Sequence, residues 1–148
     1  MDITQPLPFD AGSFDLAFCN QVLMDVDPIG PVLSECARIL KSESVFCFSI
    51  VHPALFNGDW KYDESVGKIG KLVTSYLTPE ASENRFWGET THYHRPLSCY
   101  LNAAADAGLC LTHVDEPKIY AEKEKTTICR CFFSPNTKKP SQADDYGG

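Results

Sequence analysis

Two polar residue sets stand where an α/β protein does its chemistry. The apolar stretch "FDLAFCN" at 14–20 ends on Asn20-Gln21, and the apolar stretch "VFCFSIV" at 45–51 runs into His52-Pro53. If both stretches are parallel strands, their carboxyl ends open on one sheet edge, where ligands of open α/β sheets bind. His52 there is either a hydrogen-bonded neutral imidazole or a general base. Farther along, "HYHR" places His92, His94 and Arg95 together. A His-x-His pair can ligate a metal, but zinc needs three or four ligands, and no carboxylate or Cys stands at ligand spacing. No metal site is expected. His94 and Arg95 either open the following helix, with Arg95 paired to a carboxylate, or contact a substrate. Trp60 and Trp87 are open between a small core of their own and a substrate wall.

The elements that hold these residues follow from local pattern. Residues 14–20 are apolar on both faces, as a strand covered on both sides would be. In "DVDPIGPVLSECARILK", Asp27 can cap a helix that has Pro28 at its first position. Leu33, Cys36, Ala37 and Leu40 recur at helical spacing, with Glu35, Arg38 and Lys41 off that stripe. With the 45–51 strand this makes a βαβ unit, whose crossover is right-handed. From His52 to Arg95 the regular pattern dissolves, and a segment of that length predicts a lid over about 53–95. "RPLSCYLNAAADAGL" then reads as a helix with Leu97, Leu101, Ala104 and Ala105 in its stripe and a stop at Gly108. "LCLTHV" (109–114) and "TTICRCFF" (126–133) complete the pattern as two last strands, Cys129 and Cys131 sharing one face. A polar tail over 135–148 is expected to be disordered.

Composition limits the function classes. A net charge of -7 over 148 residues, with dispersed basic residues, argues against nucleic-acid binding. No apolar run approaches the roughly 18 residues of a membrane span. No basic and apolar leader follows Met1, and the seven cysteines are odd in number. Reduced thiols and a cytoplasmic location are the expectation, with Cys19, Cys36, Cys47 and Cys110 acting as small apolar groups. The chain has no G-x-S-x-G elbow, and "GKIGK" (67–71) lacks phosphate-loop spacing.

Three segments carry a resemblance. "DITQPLPFDAGSFDLAFCNQVL", "LSECARILKSESVFCFSIVHP" and "HYHRPLSCYLNAAADAGLCLTHVDEP" are together similar to the class I S-adenosylmethionine-dependent methyltransferases. The likeness is greatest to the small-molecule branch related to ubiquinone and menaquinone biosynthesis (type 11 methyltransferase domain), and it spans roughly residues 2–117. It implies an α/β, Rossmann-like fold, S-adenosyl-L-methionine as cofactor and a small-molecule methyl acceptor. It implies that Asp2 meets the adenine amino group, that Ile3 packs on the ring, and that Asn20 and Gln21 lie beside the methionine part. The lid, with His52, Trp60, Trp87, His94 and Arg95, would cover the acceptor.

The departures are specific. The family's first strands, its G-x-G-x-G turn and its ribose-binding acidic residue would all fall upstream of Asp2. The family's P-G-G turn is here Ser42-Glu43-Ser44, and the place often held by a His after the first strand is Met24 or Asp25. The expectation is therefore the carboxyl-terminal half of a methyltransferase domain, occupying residues 1–134. Its open sheet edge would invite association with itself or a partner chain. The rival readings are a non-catalytic half-domain or pseudoenzyme that binds a partner, and a hydrolase or dehydrogenase fragment sharing the βαβ unit.

Overall fold

The chain folds around a four-stranded mixed sheet in the order β1-β2-β8-β7. The computed structural model describes residues 2–56, 59–84, 88–117 and 128–135. Trp87, the charged segment before the last strand and the tail beyond Pro135 lie outside the described residues, so the expectation of a disordered tail is not addressed.

Strand β1 (Phe14–Asn20) leads through a 3-10 turn (Leu23–Asp25) into helix α1 (Ile29–Ile39), and strand β2 (Leu40–Val51) returns parallel to β1. This is the expected βαβ unit. Its helix begins later than the sequence suggested: Pro28 is the N-cap, and no side chain caps the end. Asp27 does not cap because its carboxylate is taken by Arg95, 68 residues away, at 2.7 Å. The 42–44 segment is absorbed as an irregularity in the pairing of β2, with Phe14 opposite Leu40 but Leu16 opposite Val45. Ser44 Oγ donates to the Lys41 carbonyl at 2.6 Å and Lys41 Nζ to Asp15, which holds the irregular stretch.

The 53–95 segment is more regular than its composition implied. After one helical turn, α2 (Pro53–Phe56), it forms two antiparallel hairpins: β3 (Asp59–Asp63) with β4 (Gly67–Leu72), and β5 (Glu80–Asn84) with β6 (Thr90–His94). Neither hairpin is long or apolar enough to announce itself by alternation. Helix α3 (Leu97–Asp106) follows Pro96, and Gly108 with φ +81 makes the turn into β7 (Leu109–Asp115), in a conformation that only glycine adopts without strain. In α3 the buried residues are Tyr100 and Ala104, whereas Ala105, expected in the stripe, is exposed. Strand β8 (Ile128–Pro135) pairs antiparallel with both β2 and β7.

The core lies on one face of the sheet. Phe46, Phe48 and Ile50 of β2 pair with Phe133, Cys131 and Cys129 of β8, and all six are essentially inaccessible. Val32 and Leu33 of α1 and Tyr100 and Ala104 of α3 complete this cluster, with Phe48 and Tyr100 rings 6.1 Å apart. The opposite face differs. Leu16 is 61% exposed, Phe18 63% and Val45 41%, although the first strand reads as apolar on both sides. Periodicity reports what a strand is suited to meet. Here α1 and α3 both lie on the other face, and β1 is an edge strand.

An ionic knot fastens the leading segment. Glu35 accepts from the Leu7 amide at 2.8 Å and from Arg38, whose guanidinium also reaches the carbonyls of Leu7 and Phe9. The Arg38 hydrogen bonds and the Leu7 amide hold the Glu35 carboxyl down at about 2. These two side chains fall off the apolar stripe of α1 because they bind polypeptide.

Candidate functional site

The carboxyl ends of β1 and β2 meet as the βαβ argument requires. Asn20 lies opposite Ser49, whose hydroxyl donates to Asn20 Oδ1 at 2.5 Å. Gln21 turns the chain away at φ +52, with its amide on the Ser49 carbonyl at 2.8 Å. A left-handed non-glycine residue is strained, and such strain clusters at functional sites. The chain then dives into the core through Leu23 and Met24 and re-emerges with Asp25 and Asp27.

The second hairpin closes on this loop. Buried Arg95 donates to the carbonyls of Leu23 (3.4 Å) and Val26 (2.8 Å) and to Asp27 Oδ1 (2.7 Å), with its guanidinium 5.0 Å from the Tyr93 ring centre. His92 Nδ1 lies 3.4 Å from Asp25 Oδ1. Burial pushes the His92 imidazole down in pKa, and the Asp25 carboxylate opposes this. Burial also raises the Tyr100 phenol beneath them. His94 Nε2 donates to the Tyr76 carbonyl at 3.0 Å, and Tyr76 Oη accepts from the Leu97 amide at 3.1 Å.

Two cavities flank the clamp. One of about 10 Å³, the size of a single water, is lined by Met24, Val51, Pro53, His92 and Tyr100. The other, about 240 Å³, opens between Asp27, Glu80, Tyr93, His94 and Arg95. A larger hollow of about 410 Å³ lies at the opposite end of the sheet, by Arg38, Asp106, Gly108 and Pro135, away from both strand ends.

The residues singled out from sequence separate into distinct places. Asn20 and Gln21 share the strand edge with His52. His52 has both ring nitrogens engaged: Nδ1 accepts from the Ala54 amide at 3.2 Å, and Nε2 meets Glu116 Oε1 at 2.6 Å. It ties the end of β2 to the end of β7. Trp60 is half-buried with Lys71 Nζ 5.4 Å from its ring, and Lys71 also donates to the Leu55 carbonyl. Asp2 is exposed, and Oδ1 accepts from the Thr4 amide and hydroxyl at 2.9 and 2.7 Å, which lowers its pKa. Ile3 packs against the core. Among the described residues no group of three or more His, Cys, Asp or Glu side chains is placed to hold a metal. Sequence reasoning gave Tyr100 no part, read Asp27 as a helix cap and Asp25 only as the place of a family His, and weighed His92 as a metal ligand. Asp25 and His92 are 67 positions apart, and nothing local links them.

The cysteines are largely structural. Cys129 and Cys131 are buried with sulfurs 3.7 Å apart; their mutual hydrogen bond lowers Cys129 and raises Cys131 in pKa. Burial raises Cys19 and takes Cys36 up to about 12. Cys110, expected inside, is exposed at the sheet edge.

Comparison with known proteins gives this arrangement a context. Residues 1–48 match the family described as Methyltransferase domain. Among curated proteins no sequence match is found. The fold is similar to that of a Listeria monocytogenes protein assigned to the S-adenosylmethionine-dependent methyltransferases, at TM-score 0.76 and 19% identity, over 92% of this chain and 67% of that one. An S-adenosylmethionine-dependent methyltransferase of Mesorhizobium loti gives 0.75 and 20%, over 90% and 67%. The 1,6-didemethyltoxoflavin-N1-methyltransferase of Burkholderia thailandensis, solved with 1,6-didemethyltoxoflavin and S-adenosylhomocysteine, gives 0.60 and 12%, over 92% and 49%. The chain thus spans between half and two thirds of the length of these structures. No helix among the described residues is long and apolar enough to cross a membrane. The described chain carries the α/β, Rossmann-like fold of the S-adenosylmethionine-dependent methyltransferases.

Proposed function

We propose that this chain is the acceptor-side part of an S-adenosylmethionine-dependent methyltransferase acting on a small molecule in the cytoplasm. The observation that carries the reading is the likeness of fold over 92% of the chain to such enzymes. A cavity of about 240 Å³ beside the loop after β1 supports a small acceptor.

The residues present fit the cofactor in part. Asn20 and Gln21 offer polar groups at the strand edge for its methionine end. Asp2 keeps a carboxylate oxygen beyond the one its own turn uses, with Ile3 as an apolar neighbour for the adenine. No G-x-G-x-G turn stands in the sequence for close approach at the sugar. The cofactor supplies an electrophilic methyl group, and the protein's work is to hold the acceptor in line with it and keep water away. Of the lid residues, Tyr93 and His94 line the acceptor cavity, whereas Arg95 lines it with a guanidinium already spent on the loop. Both ring nitrogens of His52 are engaged, by Ala54 and by Glu116, so we assign it a structural tie. Trp60 remains in the proposed acceptor cover, although it does not line this cavity, and Trp87 lies outside the described residues.

A second reading rests on a separate observation. The exposed apolar groups Leu16, Phe18 and Val45, together with the open edge of β1, favour a half-domain completed by another polypeptide or a second copy. Calorimetry with S-adenosylhomocysteine tests the two. Saturable binding that weakens in Asn20→Ala supports a cofactor site within this chain. A folded chain that gives no heat, and moves no labelled methyl to oxygen, nitrogen or sulfur acceptors, rejects autonomous activity and leaves the second reading.

A further inference from the structure

We propose that Arg95 is a positioning residue that makes seating of the β5–β6 hairpin and ordering of the loop after β1 (21–28) a single event. This rests on the methyl-transfer reading, which places the cofactor against that loop.

The loop is anchored by Leu23 and Met24 in the core and by the Asp25 amide on the Val22 carbonyl at 2.8 Å, but its other polar groups look outward for partners. At its start, the Gln21 amide and Asn20 are fixed by Ser49. At its end, α1 begins at Ile29 without a side-chain cap. Between these points, the Leu23 and Val26 carbonyls both find their donor in Arg95, as does the Asp27 carboxylate. Carbonyls at such depth need partners, and Arg95 supplies them from a distant segment. The guanidinium suits the task because its planar fork serves several acceptors at once, which an ammonium point charge does not. It is 9% exposed and lies against Tyr93 of the hairpin's last strand, so it cannot swing out without unseating that strand. A second tie, His92 to Asp25, joins the same two elements.

Coupling follows from these contacts. Lifting the hairpin withdraws Arg95 and releases the loop, and loosening the loop removes the acceptors that hold Arg95 inside. A ligand that orders either side therefore orders the other, because coupling between sites is reciprocal. Acceptor binding under the hairpin would tighten the cofactor edge without any contact between acceptor and cofactor residues.

Hydrogen exchange on the whole chain tests this, with Arg95→Met, Arg95→Lys and Asp27→Asn. Arg95→Met should speed exchange in 21–28 and in 80–94 together, by about tenfold or more, while the paired amides of β2 and β8 keep their protection. Arg95→Lys should do the same, because the ammonium cannot span the acceptors. Asp27→Asn, which removes only the ionic arm, should shift both segments by less and covers the case in which Arg95→Met does not fold. Acceleration of one segment without the other overturns the proposal, and so does a uniform loss of protection in Asp27→Asn and Arg95→Lys. Adding S-adenosylhomocysteine separates this from the reading beneath it. Coupled exchange with no ligand effect in the wild type would reject cofactor binding by this chain and keep the clamp. Ligand protection of 21–28 that never reaches 80–94 would reject the clamp and keep the cofactor site.

Discussion

Serine at Phe18 and serine at Phe48 should differ severalfold in cost, although the residues sit one strand apart in the same sheet. Fully burying a Phe or Leu side chain contributes about 1.5–3 kcal/mol. Phe18 keeps 63% of its surface in water, so it has realised about two fifths of that, and Phe18→Ser should cost about 1 kcal/mol. Leu16, 61% exposed, should behave alike. Phe48 is fully buried against Tyr100 and Phe133, and Phe48→Ser should cost at least the 3–5 kcal/mol of a Phe→Ala cavity. Urea unfolding followed by far-ultraviolet circular dichroism reads both as midpoint shifts at constant slope. The surface not yet covered has its own worth. Covering Leu16 and Phe18 together would return about 2–4 kcal/mol toward docking of a partner on this face. The double serine variant should therefore reduce binding of a hydrophobic dye while costing about 2 kcal/mol, still less than Phe48→Ser alone. A cost for Phe18→Ser equal to that of Phe48→Ser, independent of protein concentration, would refute the open face.

Two further outcomes follow from the charges and thiols. The Glu35 carboxyl lies at about 2 in the folded chain, below its unfolded value, so its stabilisation is whole above about pH 4.5 and is lost as pH falls through 2. Glu35→Gln should flatten the pH dependence of the urea midpoint across that window and speed proteolysis of residues 2–13. An unchanged curve would sever the knot from stability. Iodoacetamide at pH 8 should modify exposed Cys110 first and spare Cys36 and Cys47, whose burial raises their pKa, and Cys131, raised by its hydrogen bond with Cys129 and by burial. Early labelling of Cys131 in folded protein would contradict the packing of β8.

Much of the scaffold was legible. The βαβ unit, α3 with its Gly108 stop and the final strand pair follow from local pattern, because apolar periodicity and backbone chemistry act over a few residues. The 53–95 segment was not. Its strands are five or six residues long, half polar and paired only to each other, so their register rests on neighbours in space. The site was legible as a location, since parallel strands joined by a right-handed crossover must end on one edge. Its occupants were only partly so: His52, read as either a hydrogen-bonded imidazole or a general base, is hydrogen-bonded to Ala54 and Glu116, and Asp27 was given a cap that Arg95 pre-empts.

The sequence by itself determined the order of elements outside 53–95, the edge on which Asn20 and His52 gather, and the apolar nature of both faces of β1. These depend on local periodicity and chain handedness. The tertiary structure alone decided which face of β1 is covered, what Arg95 grips and how His92 meets Asp25. Those contacts join segments up to 72 residues apart, such as Arg95 and the Leu23 carbonyl, and are chosen only when the sheet edge, the hairpin and the loop compete for the same buried space.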